Sequence, residues 1–89
     1  MKIKEGFVLR TICQEHIVTG EGLAQVNFNK IISLNESAAW LWEQVSGKDF
    51  SEEDLARLLL DRYDVAPEVA SADAGRLVKS WQDAGLIEA

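Results

Sequence analysis

The stretch Lys30-Ile31-Ile32-Ser33-Leu34-Asn35-Glu36-Ser37-Ala38-Ala39-Trp40-Leu41-Trp42-Glu43-Gln44-Val45 carries two hydrophobic periods back to back. Lys30 to Leu34 is a short, β-branched apolar run that reads as a strand. After it the period changes from two to 3.6. Ala38, Leu41, Trp42 and Val45 fall at i, i+3, i+4 and i+7, which is one stripe of a helix. Asn35 stands at the change as a natural N-cap, since its side-chain oxygen can accept from an otherwise unpaired N–H of the first turn. Glu36 suits the positive end of the helix dipole. Gly47 supplies the stop, because a left-handed residue past the last turn costs glycine little.

Before this junction the pattern is that of strands. Phe7 to Cys13 is rich in β-branched and aromatic residues. Gln14-Glu15 is expected to form a two-residue turn, and His16 to Thr19 returns antiparallel, ending at Gly20. Gly20-Glu21-Gly22 breaks the pattern, and a connection through Leu23 to Asn29 leads to the third strand.

After the junction the pattern is helical. Ser51 opens Ser-Glu-Glu-Asp, a capping-box-like start with Asp54 in the place of the usual Glu. Leu55, Leu58, Leu59 and Tyr63 make the buried stripe of this second helix. Pro67 fits the first position of a third and longest helix, where its missing N–H is no loss. That helix is expected to reach Ala84 with Ala70, Ala74, Leu77, Val78 and Trp81 inward. Gly85 lies where a Schellman turn wants glycine, and Leu86 and Trp81 form the apolar pair that closes it. Leu86-Ile87 should then fold back on the core. Three strands followed by three helices indicate an α+β fold.

The chain has 89 residues, which allows one core and so a single domain over 1–89. A hydrophobic fraction of 47% and a charged fraction of 27% are those of a globular protein. No run approaches the roughly 18 apolar residues needed to span a bilayer, and residues 1–6 lack the apolar block of a secretion signal. A cytoplasmic protein is expected, with no membrane partner. The lone Cys13 agrees, read as a small apolar strand residue. The net charge of −6, from 15 acids and 9 scattered bases, opposes binding to a phosphate backbone.

Residues that would make an enzyme are missing. His16 is the only histidine and Cys13 the only cysteine, too few for paired Cys/His zinc spacings, and no third group orients them as a nucleophile pair. Gly20-Glu21-Gly22 lacks the second half of a dinucleotide motif. Glu52, Glu53 and Asp54 are explained as a dipole-favoured helix start. No catalytic residue, metal or cofactor is expected. Trp42 and Trp81 fall on core stripes. Trp40, about 160° from Trp42 around a helix, is left partly exposed, either as a contact residue or as a cover for the sheet.

Taken in order, Ser33-Leu34-Asn35-Glu36-Ser37-Ala38-Ala39-Trp40-Leu41-Trp42, Gly47, Leu55 to Tyr63, Tyr63-Asp64-Val65, Asp73 and Gly85-Leu86-Ile87 resemble the PqqD family over nearly the whole chain. The Gly20 to Lys30 connection departs from the family's pattern, and Leu77-Val78 stands where a bulkier pair is usual. The resemblance implies a winged-helix-like domain, a precursor-peptide recognition element with no catalysis of its own. Such a domain binds the leader of a ribosomally made peptide and presents it to a modifying enzyme, often a radical S-adenosylmethionine enzyme. In the family's name-giving pathway the product is pyrroloquinoline quinone.

The implied mechanism is strand addition beside Asn29 to Leu34, in a groove closed by the third helix. An open strand edge presents unpaired N–H and C=O groups to an extended peptide. The candidate contacts on the strand are Asn29, Lys30, Ile31, Ile32 and Ser33. Alternation sets Ile32 and Leu34 on one face and Ile31 and Ser33 on the other, and with Leu34 taken as core, Ile31 is the expected groove contact. On the third helix the candidates are Asp73, Arg76, Leu77 and Ser80, which either read polar leader residues or form a solvated face. Two rival functions remain at this stage. One is a DNA-binding winged helix, which the acids on the second and third helices oppose. The other is a homodimerising structural subunit that pairs its open edge with a second copy.

Overall fold

The computed structural model describes residues 1–20 and 31–88. In chain order these contain β1 (Lys2–Ile3), β2 (Phe7–Ile12), β3 (Glu15–Gly20), β4 (Ile31–Leu34), α1 (Glu36–Val45), α2 (Glu52–Arg62), α3 (Pro67–Asp83) and β5 (Ile87–Glu88). β2, β3 and β4 form an antiparallel sheet in that order, so among the described residues β2 and β4 are its two edges. This is the expected mixed α+β arrangement of a three-stranded sheet followed by three helices. The sequence pattern did not reveal a second, two-stranded sheet in which β1 pairs with β5, with Ile3 opposite Ile87. Leu86-Ile87 does fold back, and both residues are buried.

The β2–β3 turn is displaced by one residue from its expected place. Ile12 pairs with Glu15, which makes Cys13-Gln14 the two-residue loop. Both loop residues have positive φ, 50° and 68°. That is the backbone of a primed hairpin turn, whose twist matches the flanking strands. Cys13 is therefore an exposed turn residue and not part of a strand.

The helix boundaries follow their caps. The Asn35 side chain accepts from the Ala38 N–H at 2.8 Å. Ser51 and Asp54 close a reciprocal capping box, at 3.1 and 3.0 Å. After α1, Ser46 (φ −60°, ψ 130°) and Gly47 (φ +76°) form a type II turn closed by the Lys48 N–H on the Val45 carbonyl at 3.1 Å. α3 ends in a Schellman motif. The Leu86 N–H donates to the Trp81 carbonyl at 2.9 Å and the Gly85 N–H to that of Gln82 at 3.0 Å, with Gly85 at φ +75°.

The core lies between the sheet and the helices. Val18 from β3 packs with Leu41, Trp42 and Val45 of α1, Leu55 and Leu59 of α2, and Ala70, Ala74, Val78 and Trp81 of α3. Trp81 is its centre. It meets Trp42 edge-on at 5.3 Å and Phe50 at 6.3 Å between ring centroids. Such pairs add about 0.5–1.5 kcal/mol beyond burial alone.

Because Cys13 and Gln14 both hold left-handed backbone at a cost of about 1–2 kcal/mol per residue, replacing them together with Asn-Gly should raise the unfolding free energy by about 1–2 kcal/mol. Urea denaturation of the two chains measures this.

Candidate functional site

Among the described residues, β4 is paired on one side only. It pairs with β3 through Thr19–Ile31, Val18–Ile32, Ile17–Ser33 and His16–Leu34. Its other margin has no strand beside it among the described residues. Residues directly opposite across strands share a face. The row Leu9, Val18 and Ile32 therefore points toward the helices, as do Thr11, His16 and Leu34. Ile32 and Leu34 are half-buried against the core, whereas Ile31 is 67% exposed on the opposite face.

Two depressions flank the end of β4. One, of about 720 Å³, is lined by Thr11, Gln14, Glu15, His16, Ser33, Leu34, Asn35 and Glu36. The other, of about 400 Å³, lies between the helices, lined by Asn35, Ser37, Ala38, Leu41, Leu59, Asp73, Arg76, Leu77 and Ser80. Asn35, the cap of α1, lines both.

The interhelical cleft has an apolar floor and a polar rim. Ala38, Leu41 and Leu59 are buried. Around them stand Asn35, Ser37, Asp73, Arg76 and Ser80, with half-buried Leu77 as a wall. The Ser37 hydroxyl donates to Asn35 Oδ1 at 3.1 Å. Arg76 forms an ion pair with Asp73 one turn away. Outside both depressions, Asp49 is held below the usual carboxylate range, first by its hydrogen bond from the Met1 ammonium.

All four α3 candidates, Asp73, Arg76, Leu77 and Ser80, line this one cleft. Ser33 lines the depression beside the hairpin, and Ile32 faces the helices. Asn29 and Lys30 lie outside the described residues. Ser37, Ala38, Leu41 and Leu59 escaped notice as lining residues. Ser37 and Leu41 are spaced i, i+4 at the border of the α1 core stripe, a spacing that would have marked them.

Other chemistry is sparse. The His16 ring accounts for itself through a 2.9 Å hydrogen bond between Nδ1 and Thr11 Oγ1. Among the described residues no group of three or more His, Cys, Asp or Glu is placed to hold a metal ion. No described helix is long and apolar enough to cross a membrane. On α2 and α3, Arg57, Arg76 and Lys79 pair with Asp54, Asp73 and Asp83, so much of the positive charge on these helices is engaged internally.

With this geometry in view, comparison with known proteins assigns the family. Residues 13–87 match the family described as coenzyme PQQ synthesis protein D, PqqD, and the chain belongs to that family. Two solved structures share the fold. One is TbiB1 in complex with the TbiA(beta) leader peptide: TM-score 0.77, 16% identity, 99% of this chain and 95% of that chain covered. The other is lasso peptide synthetase B1 complexed with the leader peptide: TM-score 0.72, 19% identity, 96% of this chain and 93% of that chain covered. No curated protein matches the chain.

The Asp73–Arg76 pair is exposed and should contribute little to folding. Asp73→Asn is expected to change the unfolding free energy by less than about 1 kcal/mol, which urea denaturation measures.

Proposed function

We propose that this chain binds the leader segment of a ribosomally synthesised precursor peptide and presents it to a modifying enzyme of the radical S-adenosylmethionine class. The observation that carries the reading is a β4 margin that no described strand pairs, followed directly in the chain by Asn35, which lines the cleft between α1 and α3. Family membership supports it, as does the presence of a leader peptide in each of the two related structures. In this reading the domain spans residues 1–89, acts in the cytoplasm and leaves the covalent chemistry to its partner.

Magnitudes divide the work between strand and cleft. In an antiparallel pair only alternate residues exchange bonds, so the four residues of β4 offer about four outward groups. At about 0.5–1.5 kcal/mol net each, these bonds sum to about 2–6 kcal/mol, which reaches only the lower end of an association cost of about 4–15 kcal/mol. Apolar leader side chains reaching Ala38, Leu41, Leu59 and Leu77 would add about 1.5–3 kcal/mol each. Main-chain pairing then sets register, and the cleft sets affinity and sequence preference. Asp73, Arg76 and Ser80 on the rim would read polar residues of the leader, and Asn29, Lys30, Ile31, Ile32 and Ser33 would supply the strand.

The acidic surface and the internal ion pairs of α2 and α3 speak against the rival nucleic-acid reading. The second edge, β2, leaves room for self-association without competing for the peptide site.

The test is a selection of random 15-residue peptides on the full chain, followed by single N-methylation along the tightest binder. Methylation removes one N–H at a time. Strand addition gives losses of more than about tenfold at every second position over the paired segment. Uniform tolerance of methylation, or losses without that alternation, would contradict strand addition at β4.

A further inference from the structure

Arg62 is set apart from the other arginines of the helical layer. Arg57 and Arg76 each pair with a carboxylate one turn away on their own helix. Arg62 has no ion pair among the described residues, although Asp61 and Asp64 are close in sequence. Its guanidinium instead lies 4.7 Å from the centroid of the Trp40 ring and 5.8 Å from that of Tyr63. The two rings meet edge-on at 6.3 Å and 89°. A guanidinium resting on aromatic faces keeps its N–H edge directed away from them, and that edge matches a carboxylate bidentately.

The position of this cluster relates it to the cleft. Trp40 follows Ser37 by one turn of α1, and Ser37 lines the cleft. Tyr63 follows Leu59, another lining residue, by four, and the Tyr63 N–H donates to the Leu59 carbonyl at 2.9 Å, which holds it over that turn. On α3, the exposed apolar Val69 lies one turn before Asp73, also of the lining. Residues three and four apart on a helix are surface neighbours. One helical turn beyond lining residues of the cleft, α1 and α2 thus bring together two aromatic rings with one cation over them.

We propose that Arg62, supported by Trp40 and Tyr63, is a carboxylate-binding subsite one helical turn beyond the cleft, and that its occupant is an Asp or Glu side chain of the bound peptide. Charge supports this choice. On a chain of net charge −6 an acidic peptide is repelled in general, so a cation free of internal carboxylates is where an acidic residue can be accepted and its position fixed. The aromatic support limits the side-chain freedom lost on binding.

This assignment rests on the peptide-binding reading above. The probes are the peptides selected from the random 15-residue library on the full chain, with ones shifting the Ile31–Leu34 amides retained. The retained peptides should carry Asp or Glu at one fixed position. Replacing it with Asn or Gln should weaken binding roughly tenfold or more. Arg62→Gln should weaken the acidic peptide by the same factor and leave the amide-bearing peptide unchanged. Arg62→Glu should in turn favour peptides with Lys at that position. A structural role at the end of α2 would weaken both peptides equally, and that result overturns the subsite. Retained peptides with no fixed acidic position overturn it as well. If no selected peptide shifts the Ile31–Leu34 amides, the peptide-binding reading itself fails and the subsite with it. Trp40→Phe, which keeps a ring beneath Arg62, should retain the preference for the acidic peptide. Its loss there, in a protein with unchanged thermal melting, would count against aromatic support.

Discussion

The structure turns on a row of backbone groups along one side of β4 that no described strand of the protein pairs. Peptide N–H and C=O groups must be satisfied by other protein groups or by water. A solvated edge is tolerable, yet it is also a template for any extended chain. What distinguishes this margin from that of β2 at the other side of the sheet is what lies next to it. β4 runs through Asn35 directly into α1, and the N-terminal part of α1 forms one wall of the cleft against α3. The residue that caps α1 thus both follows β4 in the chain and lines the cleft.

The remainder of the domain holds these surfaces in place. α1 is anchored by Leu41, Trp42 and Val45, and α3 by Ala70, Ala74, Val78 and Trp81, all in one core. Small residues at 70 and 74 let α3 lie close to α2, while the edge-on contacts of Trp81 with Trp42 and Phe50 fix the opposite end of the helix. The Schellman turn after α3 sends Leu86-Ile87 back into the core and across to β1, which ties the end of α3 to the start of the chain. With these positions set by packing, the α3 wall of the cleft is preformed, which would lower the ordering cost of the proposed peptide binding.

Legibility in the sequence followed the strength of local chemistry. The caps at Asn35 and Ser51, the glycine stops and the Schellman pair Trp81/Leu86 are interactions between residues a few positions apart, and each was readable. The hairpin register was not. Cys13-Gln14 has no glycine or asparagine to advertise positive φ, so the turn was expected one residue later than it occurs. The β1–β5 pair joins the two ends of the chain through two residues on each side, too short for any periodic signal. Of the site, Asp73, Arg76, Leu77 and Ser80 could be grouped because one helix carries them. The α1 and α2 contributions depended on tertiary packing. Alternation with Leu34 as core did set Ile31 on the face away from the helices, but that face is not the one the cleft lies on, so Ile31 is not among the cleft's lining residues.

The most direct measurement is amide hydrogen exchange of residues 31–34 in the free chain and in the chain saturated with a bound leader-type peptide. Strand addition requires that alternate amides of this segment, exchanging quickly when open to water, become strongly protected in the complex while the β2 amides on the far edge stay as they were. Unchanged exchange along β4 in a saturated complex would place the peptide elsewhere and contradict the role given to this margin.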